Sequence, residues 1–334
     1  MDSLELHKSL IVIDGHCDTV DDLAGASYTS RNAPVRDFLE RGKGHLDLPR
    51  LVEGGVTCQF MAMFVDDEYM ADPKAHTYRL LEALESVFSR AKGFCMATKA
   101  GDIERAKAEG CVAGLMTIEG GEAIGESLDD LRAFYDRGVR LMTLTWNRRN
   151  AIGRGAGAGD PKVDGTGGLT NFGRKVIAAM EALGMIVDVS HLADETFEEV
   201  LSRVERPVVA SHSNSREICC HRRNVTDRMA ERIAASGGLV ACTFAGIFVD
   251  EDPAKVDRDR FLDHVDRLVS VVGPDHVGIG SDFDGFSDKY GVVIKDCSRM
   301  GELTTGLLER GYRDEDIRKI MGGNWLRVLR EIAC

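Results

Sequence analysis

MIVDVSH (185–191) and PVVASHS (207–213) share one design: a short apolar run, rich in valine, that stops at a histidine. IVIDGHCD (11–18) repeats it and ends with His16 and Asp18 two residues apart. Near-continuous apolar runs of this length suit parallel strands covered on both faces, whereas a half-exposed strand would alternate. Five further runs of the kind lie at 56–65, 112–120, 139–146, 239–244 and 277–283. Helical patterns occur between and after them, at 74–99, 128–137, 172–183, 194–204, 226–236, 258–272, 299–310 and 315–332. Thr170 is placed to cap the third of these, and the acids that open 194–204 suit a helix N-terminus. Eight strands alternating with helices predict an α/β chain folded as a (β/α)8 TIM barrel, a single domain over 1–334. The 334 residues exceed the roughly 250 typical of that fold. The excess is assigned to segments after the first and fourth strands and to extra C-terminal helices. A doubly wound open sheet is the competing layout; eight strands and the lack of a GxGxxG fingerprint rank it second.

Composition narrows the function. The chain carries 42 Lys+Arg against 55 Asp+Glu, a net charge of −13, with no basic run. Phosphate backbones need a cationic surface, so no nucleic-acid partner is expected. No run approaches the roughly 20 apolar residues of a membrane span. MDSLELHKSL (1–10) does not read as a secretory signal, and Cys334 is misplaced for a prenylation box. The nine cysteines are therefore expected to be reduced and buried in a cytoplasmic protein, with Cys219 and Cys220 as packing or loop residues. The Gly-rich stretch 153–168 lacks the GK[ST] ending of a phosphate loop and reads as a loop over the barrel mouth.

In such barrels the active site sits at the C-terminal ends of the strands. His16, Asp18, Glu119, His191, His212 and Asp282 all close predicted strands at that end. His276 opens a strand at the opposite end and is assigned no role. His7, His45, His76 and His264 fall in predicted loops or helices and are expected at the surface, while His221 lacks the strand-end context. One histidine at a strand end is usually a hydrogen-bonded core residue; three with carboxylates at one rim are a different matter. Burying Asp18 and Glu119 as anions is costly without a cation. Imidazole nitrogen and carboxylate oxygen suit Zn²⁺, with Mn²⁺, Co²⁺ or Fe²⁺ as substitutes. Five ligands exceed the need of one catalytic zinc, so two metals bridged by Glu119 are expected.

The pieces DGHCD (14–18), TIEGG (117–121), ASHSNSR (210–216), HRRNVTD (221–227), GIGSDFDG (278–285) and GGNWLRV (322–328), with the run 168–191, resemble the membrane (renal) dipeptidase family. That family belongs to the metal-dependent amidohydrolase barrels. The pieces occur in family order and span nearly the whole chain. The resemblance implies one zinc held by His16, Asp18 and Glu119 and a second by Glu119, His191 and His212. It implies Asp282 as the acid/base, Arg223 as a substrate-contacting arginine, a small dipeptide substrate with L-D pairs among those accepted, and a homodimer. The implied mechanism is attack by a metal-bridging hydroxide. Asp284 reads as a loop-orienting residue, and Asp14 as support for the HxD motif. One departure stands out: where the better-known dipeptidases carry a histidine that contacts substrate, LTWNRRN (144–150) has Trp146. Asn147 is the candidate replacement donor, and both are assigned to substrate binding. The alternative readings are a barrel acting on a modified peptide in a specialised pathway, and a non-catalytic barrel.

Overall fold

A computed structural model of the chain describes residues 2–26, 35–157 and 167–332. Nine parallel strands are present among them: β1 (Ile13–Asp14), β2 (Cys58–Phe64), β3 (Phe94–Ala97), β4 (Val112–Glu119), β5 (Leu141–Thr143), β6 (Ile186–Asp188), β7 (Val208–Ala210), β8 (Leu239–Cys242) and β9 (Val277–Ile279). Eight of them form a ring in the order β1, β2, β4, β5, β6, β7, β8, β9, with β9 pairing back to β1. Helices connect them, as the alternation predicts, and the fold is a TIM barrel. β3 lies outside the ring, paired to the first half of β4.

Side-chain alternation builds the two cores. On β4, Ala113 and Leu115 join Ile13, Phe60, Leu141, Ile186, Val209, Leu239 and Ala241 in the barrel interior. Val112, Met116 and Ile118 face the surrounding helices. A period of two therefore carries Glu119 inward. Register sets Phe64 beside Glu119, Glu119 beside Thr143, and Thr143 beside Asp188, so these strand ends share one layer. Trp325, from the helix Asn324–Ile332, inserts among the interior side chains, and its indole N–H donates to Ile279 O at 3.1 Å. A Cβ on Gly15 would lie 2.1 Å from that ring, so the glycine of DGHCD is required for packing.

The structure departs from the sequence expectations in several places. The predicted helix 74–99 ends at Arg90, and its last residues form β3; a further helix, Ala100–Glu109, precedes β4. The segment 315–332 is divided by a wide turn at Lys319–Gly323. β1 is only two residues long, so His16 and Asp18 lie beyond it, where Cys17 bridges to Phe283 and Asp18 starts the helix Thr19–Leu23. The parallel bridge at Cys17 keeps the chain paired between them, and both side chains reach the same cluster. His7, His76 and His264 are buried, contrary to their expected surface placement, and the His45 side chain is only 12% exposed. Each fills an internal demand. His7 bonds Thr304 Oγ1 and Gly54 O, His264 bonds Ser215 N and Val249 O, His76 stacks on Tyr69, and His45 stacks on Phe283 and Phe286. Most of the Gly-rich loop, 158–166, lies outside the described residues. Among the described residues every cysteine is free, and no helix is long and apolar enough to cross a membrane.

Candidate metal centre and active site

The six strand-end residues converge. His16 Nε2 lies 3.6 Å from Asp18 Oδ1, 3.7 Å from Glu119 Oε2 and 3.9 Å from Asp282 Oδ1. The other oxygen of Glu119, Oε1, lies 2.8 Å from His191 Nε2 and 3.4 Å from His212 Nε2. Those two imidazole nitrogens are 2.8 Å apart. Glu119 thus offers Oε2 to His16 and Oε1 to the His191–His212 pair. All six side chains are buried.

The charges are out of balance. Burial opposes protonation of His16, yet Asp18 and Glu119 beside it push its pKa up to about 10. Burial, with the Glu119 charge, raises Asp18 to about 6, and burial with Asp18 raises Asp282 well above the usual carboxyl range. Burial and then the Arg223 charge hold His191 down at about 3; burial and then His16 hold His212 well below its ordinary value. One side of the cluster is therefore short of positive charge, and the other presents neutral imidazoles with free lone pairs. His16 Nε2 and Asp18 Oδ1 are buried with no hydrogen-bond partner. Each such orphan costs about 1–3 kcal/mol. His16, Glu119 and His212, and again His16, Asp18 and Asp282, each bring one donor atom within 4.8 Å of the others. Nitrogen and carboxylate donors, orphaned atoms and a charge deficit together fit a divalent cation of the zinc type.

Two matching clips hold these residues. Asp188 Oδ1 accepts from the backbone N–H groups of Ser190 and Ser211, at 3.0 and 2.9 Å. Its Oδ2 accepts from the hydroxyls of Thr143 and Ser211. Asp14 repeats the arrangement. Its Oδ1 accepts from Ser281 N at 2.7 Å and His16 N at 3.3 Å, and its Oδ2 from Ser281 Oγ at 2.6 Å. The residues that follow the clipped serines are His191, His212 and Asp282. His191 and Asp282 have φ of 68° and 67°, the left-handed region that non-glycine residues rarely enter. Because the Ser211 hydroxyl proton goes to Asp188, Ser211 Oγ accepts from His212 Nδ1–H at 2.7 Å. That tautomer leaves Nε2 with a lone pair. Asn147 Oδ1 does the same for His191 Nδ1 at 2.9 Å. Asp188 and Ser211 were not singled out from sequence, although Asp188-x-Ser190 has the spacing of Asp14-x-His16.

The remaining candidates surround a cavity of about 460 Å³ whose lining includes Asp18, Glu119, His191 and Asp282. Trp146 and Asn147 line it as well. Arg223 is buried beside it: its guanidinium lies over Phe248, Nη2 donates to His212 O at 3.3 Å, and Nε has no partner. Burial lowers its pKa to about 10, with Asp282 and Glu119 resisting. Among the described residues no carboxylate is within ion-pair distance of it. Asp284 points away, accepting from Thr19 Oγ1, Arg36 Nη1 and His45 N, so it ties loops together.

Known proteins share the family and the fold. The family profile described as "Membrane dipeptidase (Peptidase family M19)" matches residues 2–334. "Dipeptidase tcpJ" of Claviceps purpurea (strain 20.1) is 32% identical over 333 residues, which cover 96% of this chain and 76% of that protein. A metallo peptidase from Rhodobacter sphaeroides, solved with a phosphinate mimic of the dipeptide L-Ala-D-Ala, is 30% identical. It superposes with a TM-score of 0.83 over 97% of this chain and 99% of its own. The probable dipeptidase PvdM from Pseudomonas aeruginosa, 22% identical with a TM-score of 0.87 over 99% of this chain and 97% of its own, shares the fold. A barrel with a buried His/Asp/Glu cluster at the C-terminal rim, matched along nearly its whole length, places this chain in the membrane dipeptidase family, peptidase family M19.

Proposed function

We propose that the chain is a dinuclear zinc dipeptidase. His16, Asp18 and Glu119 would hold one ion, and Glu119, His191 and His212 the other. The observation that carries this reading is Glu119, whose Oε2 faces His16 and whose Oε1 faces His191 and His212, beside two buried atoms lacking partners. When bound, two such ions polarise a carbonyl and make water acidic enough to be a nucleophile near neutral pH. Arg223 receives the α-carboxylate of the substrate, since a buried guanidinium without an acid matches a carboxylate bidentately. That contact orients the scissile bond over Glu119. Asp282 Oδ1 takes the proton of the incoming water and returns it to the leaving amine. Asn147 and the Ser211–Asp188 pair keep both imidazoles in the tautomer that presents Nε2. The cavity suits a dipeptide in size. L-D pairs belong among the substrates by similarity to the Rhodobacter sphaeroides peptidase liganded with an L-Ala-D-Ala mimic.

The test combines metal content with hydrolysis of L-Ala-L-Ala and L-Ala-D-Ala. Two zinc ions per chain and cleavage are expected. Asp282→Asn should keep both ions and lose about 10²–10⁴ in kcat. Full activity in that variant, or no zinc uptake by the wild type, refutes the reading.

A further inference from the structure

Trp146 follows β5 and lines the cavity, and its surroundings hold it rigid. Its ring packs at 5.0 Å against Phe64 and at 6.0 Å against His191, and the Arg148 guanidinium lies 4.9 Å above it. Arg148 is itself pinned by two bonds to Val65 O and by Asp67 and Glu122. An indole braced on several sides is a fixed apolar wall: it loses little entropy when a substrate packs against it. Phe64 continues the wall, and both residues line the cavity. Ile247, Phe248, Phe286 and Tyr290 add further apolar lining to the cavity.

The ring order sets Phe64 and Phe248 at different ends of a dipeptide. Arg223 follows β7 and bonds His212 O, with Phe248 under its guanidinium. In the ring of eight, β2 stands opposite β7. Phe64 ends β2, and Trp146 packs on Phe64. A dipeptide with its carboxylate at Arg223 and its scissile carbonyl near Glu119 extends its amino-terminal residue toward β2. The side chain of the carboxyl-terminal residue stays near Phe248.

We infer that the Trp146–Phe64 wall selects dipeptides whose amino-terminal side chain is aromatic or large and apolar. This rests on the dipeptidase reading above. A filled hydrophobic pocket discriminates by roughly 10- to 200-fold, so about tenfold or more over alanine is expected.

The test uses titration calorimetry on the zinc-loaded D282N variant, which reads binding without turnover. Phe-Ala should bind at least about tenfold more tightly than Ala-Ala. In D282N/W146A and in D282N/W146H the ratio should fall toward one, while D282N/W146F should keep most of it. Any gain of Ala-Phe over Ala-Ala should persist in all of them. Equal affinity for Phe-Ala and Ala-Ala, or a ratio indifferent to W146A and W146H, overturns the inference. Hydrolysis by the unmodified enzyme is scored separately: no cleavage of any dipeptide overturns the hydrolase reading, and the calorimetric ratio still decides the wall.

Discussion

Asp188→Asn changes one atom, yet it should reverse a chain of protons that ends at the candidate metal centre. In the native protein the Ser190 and Ser211 backbone N–H groups need an acceptor at Oδ1, and only the amide oxygen of asparagine can serve. The amide NH₂ then occupies the Oδ2 position and donates to Ser211 Oγ. The Ser211 hydroxyl proton must turn to His212 Nδ1, 2.7 Å away. His212 then carries its proton on Nε2, the atom that faces Glu119 Oε1. To bind a cation there, the variant must undo one buried hydrogen bond, at about 1.5–3 kcal/mol. That is about a 10- to 150-fold loss of affinity by the tenfold-per-1.4 kcal/mol rule. Loss of supporting contacts behind metal ligands typically costs 10–100-fold, a similar range. Both backbone N–H bonds survive, so the fold should change little. Competition against a chromophoric chelator should show one of two zinc sites weakened selectively, and ¹⁵N spectra of the metal-free variant should show His212 as the Nε2–H tautomer. Two zinc ions bound at wild-type affinity would refute the relay.

Arg223→Lys keeps the charge but not the planar fork, so dipeptide KM should rise about 10- to 100-fold with a smaller change in kcat, read by steady-state kinetics. Trp325→Ala empties the barrel interior and should cost about 3–5 kcal/mol in denaturant unfolding; metal content at low denaturant should be retained. His264 is held neutral: its Nδ1 accepts from Ser215 N, its Nε2–H donates to Val249 O, and burial lowers its pKa to about 4 from 6.5. The unfolded chain therefore binds the extra proton between those values. The stability this contributes, up to about 3 kcal/mol, is present above pH 6.5 and lost as pH falls toward 4. Unfolding free energies from pH 7 to 4.5 should fall less steeply in His264→Gln, and identical slopes would exclude this histidine.

The barrel and the identities of its rim residues were legible in the chain because both follow local rules. Continuous apolar runs mark strands covered on both faces, and a functional residue at the end of such a run is bound to reach the same rim. β4 is the clearest case: eight residues of strict alternation carry Glu119 inward. β3 was missed because Phe94–Ala97 is short, starts within a few residues of a helix end and pairs outside the ring. The four histidines expected at the surface show a different limit. Whether an imidazole is buried depends on distant partners such as Thr304 for His7, and no local pattern encodes those.

Sequence alone determined the candidate donor set: three imidazoles and their carboxylates at strand ends, with an arginine and a tryptophan singled out beside them. Only the tertiary structure decided how they are used. It set one oxygen of Glu119 toward His16 and the other toward His191 and His212, carried His16 past a two-residue strand, and set Asp188 behind His212 through Ser211. It also put Trp146 against Phe64, opposite the strand that precedes Arg223. The physical reason is that strand patterning is a property of consecutive residues. Charge balance, tautomer and cavity shape depend on groups that meet only when the ring closes.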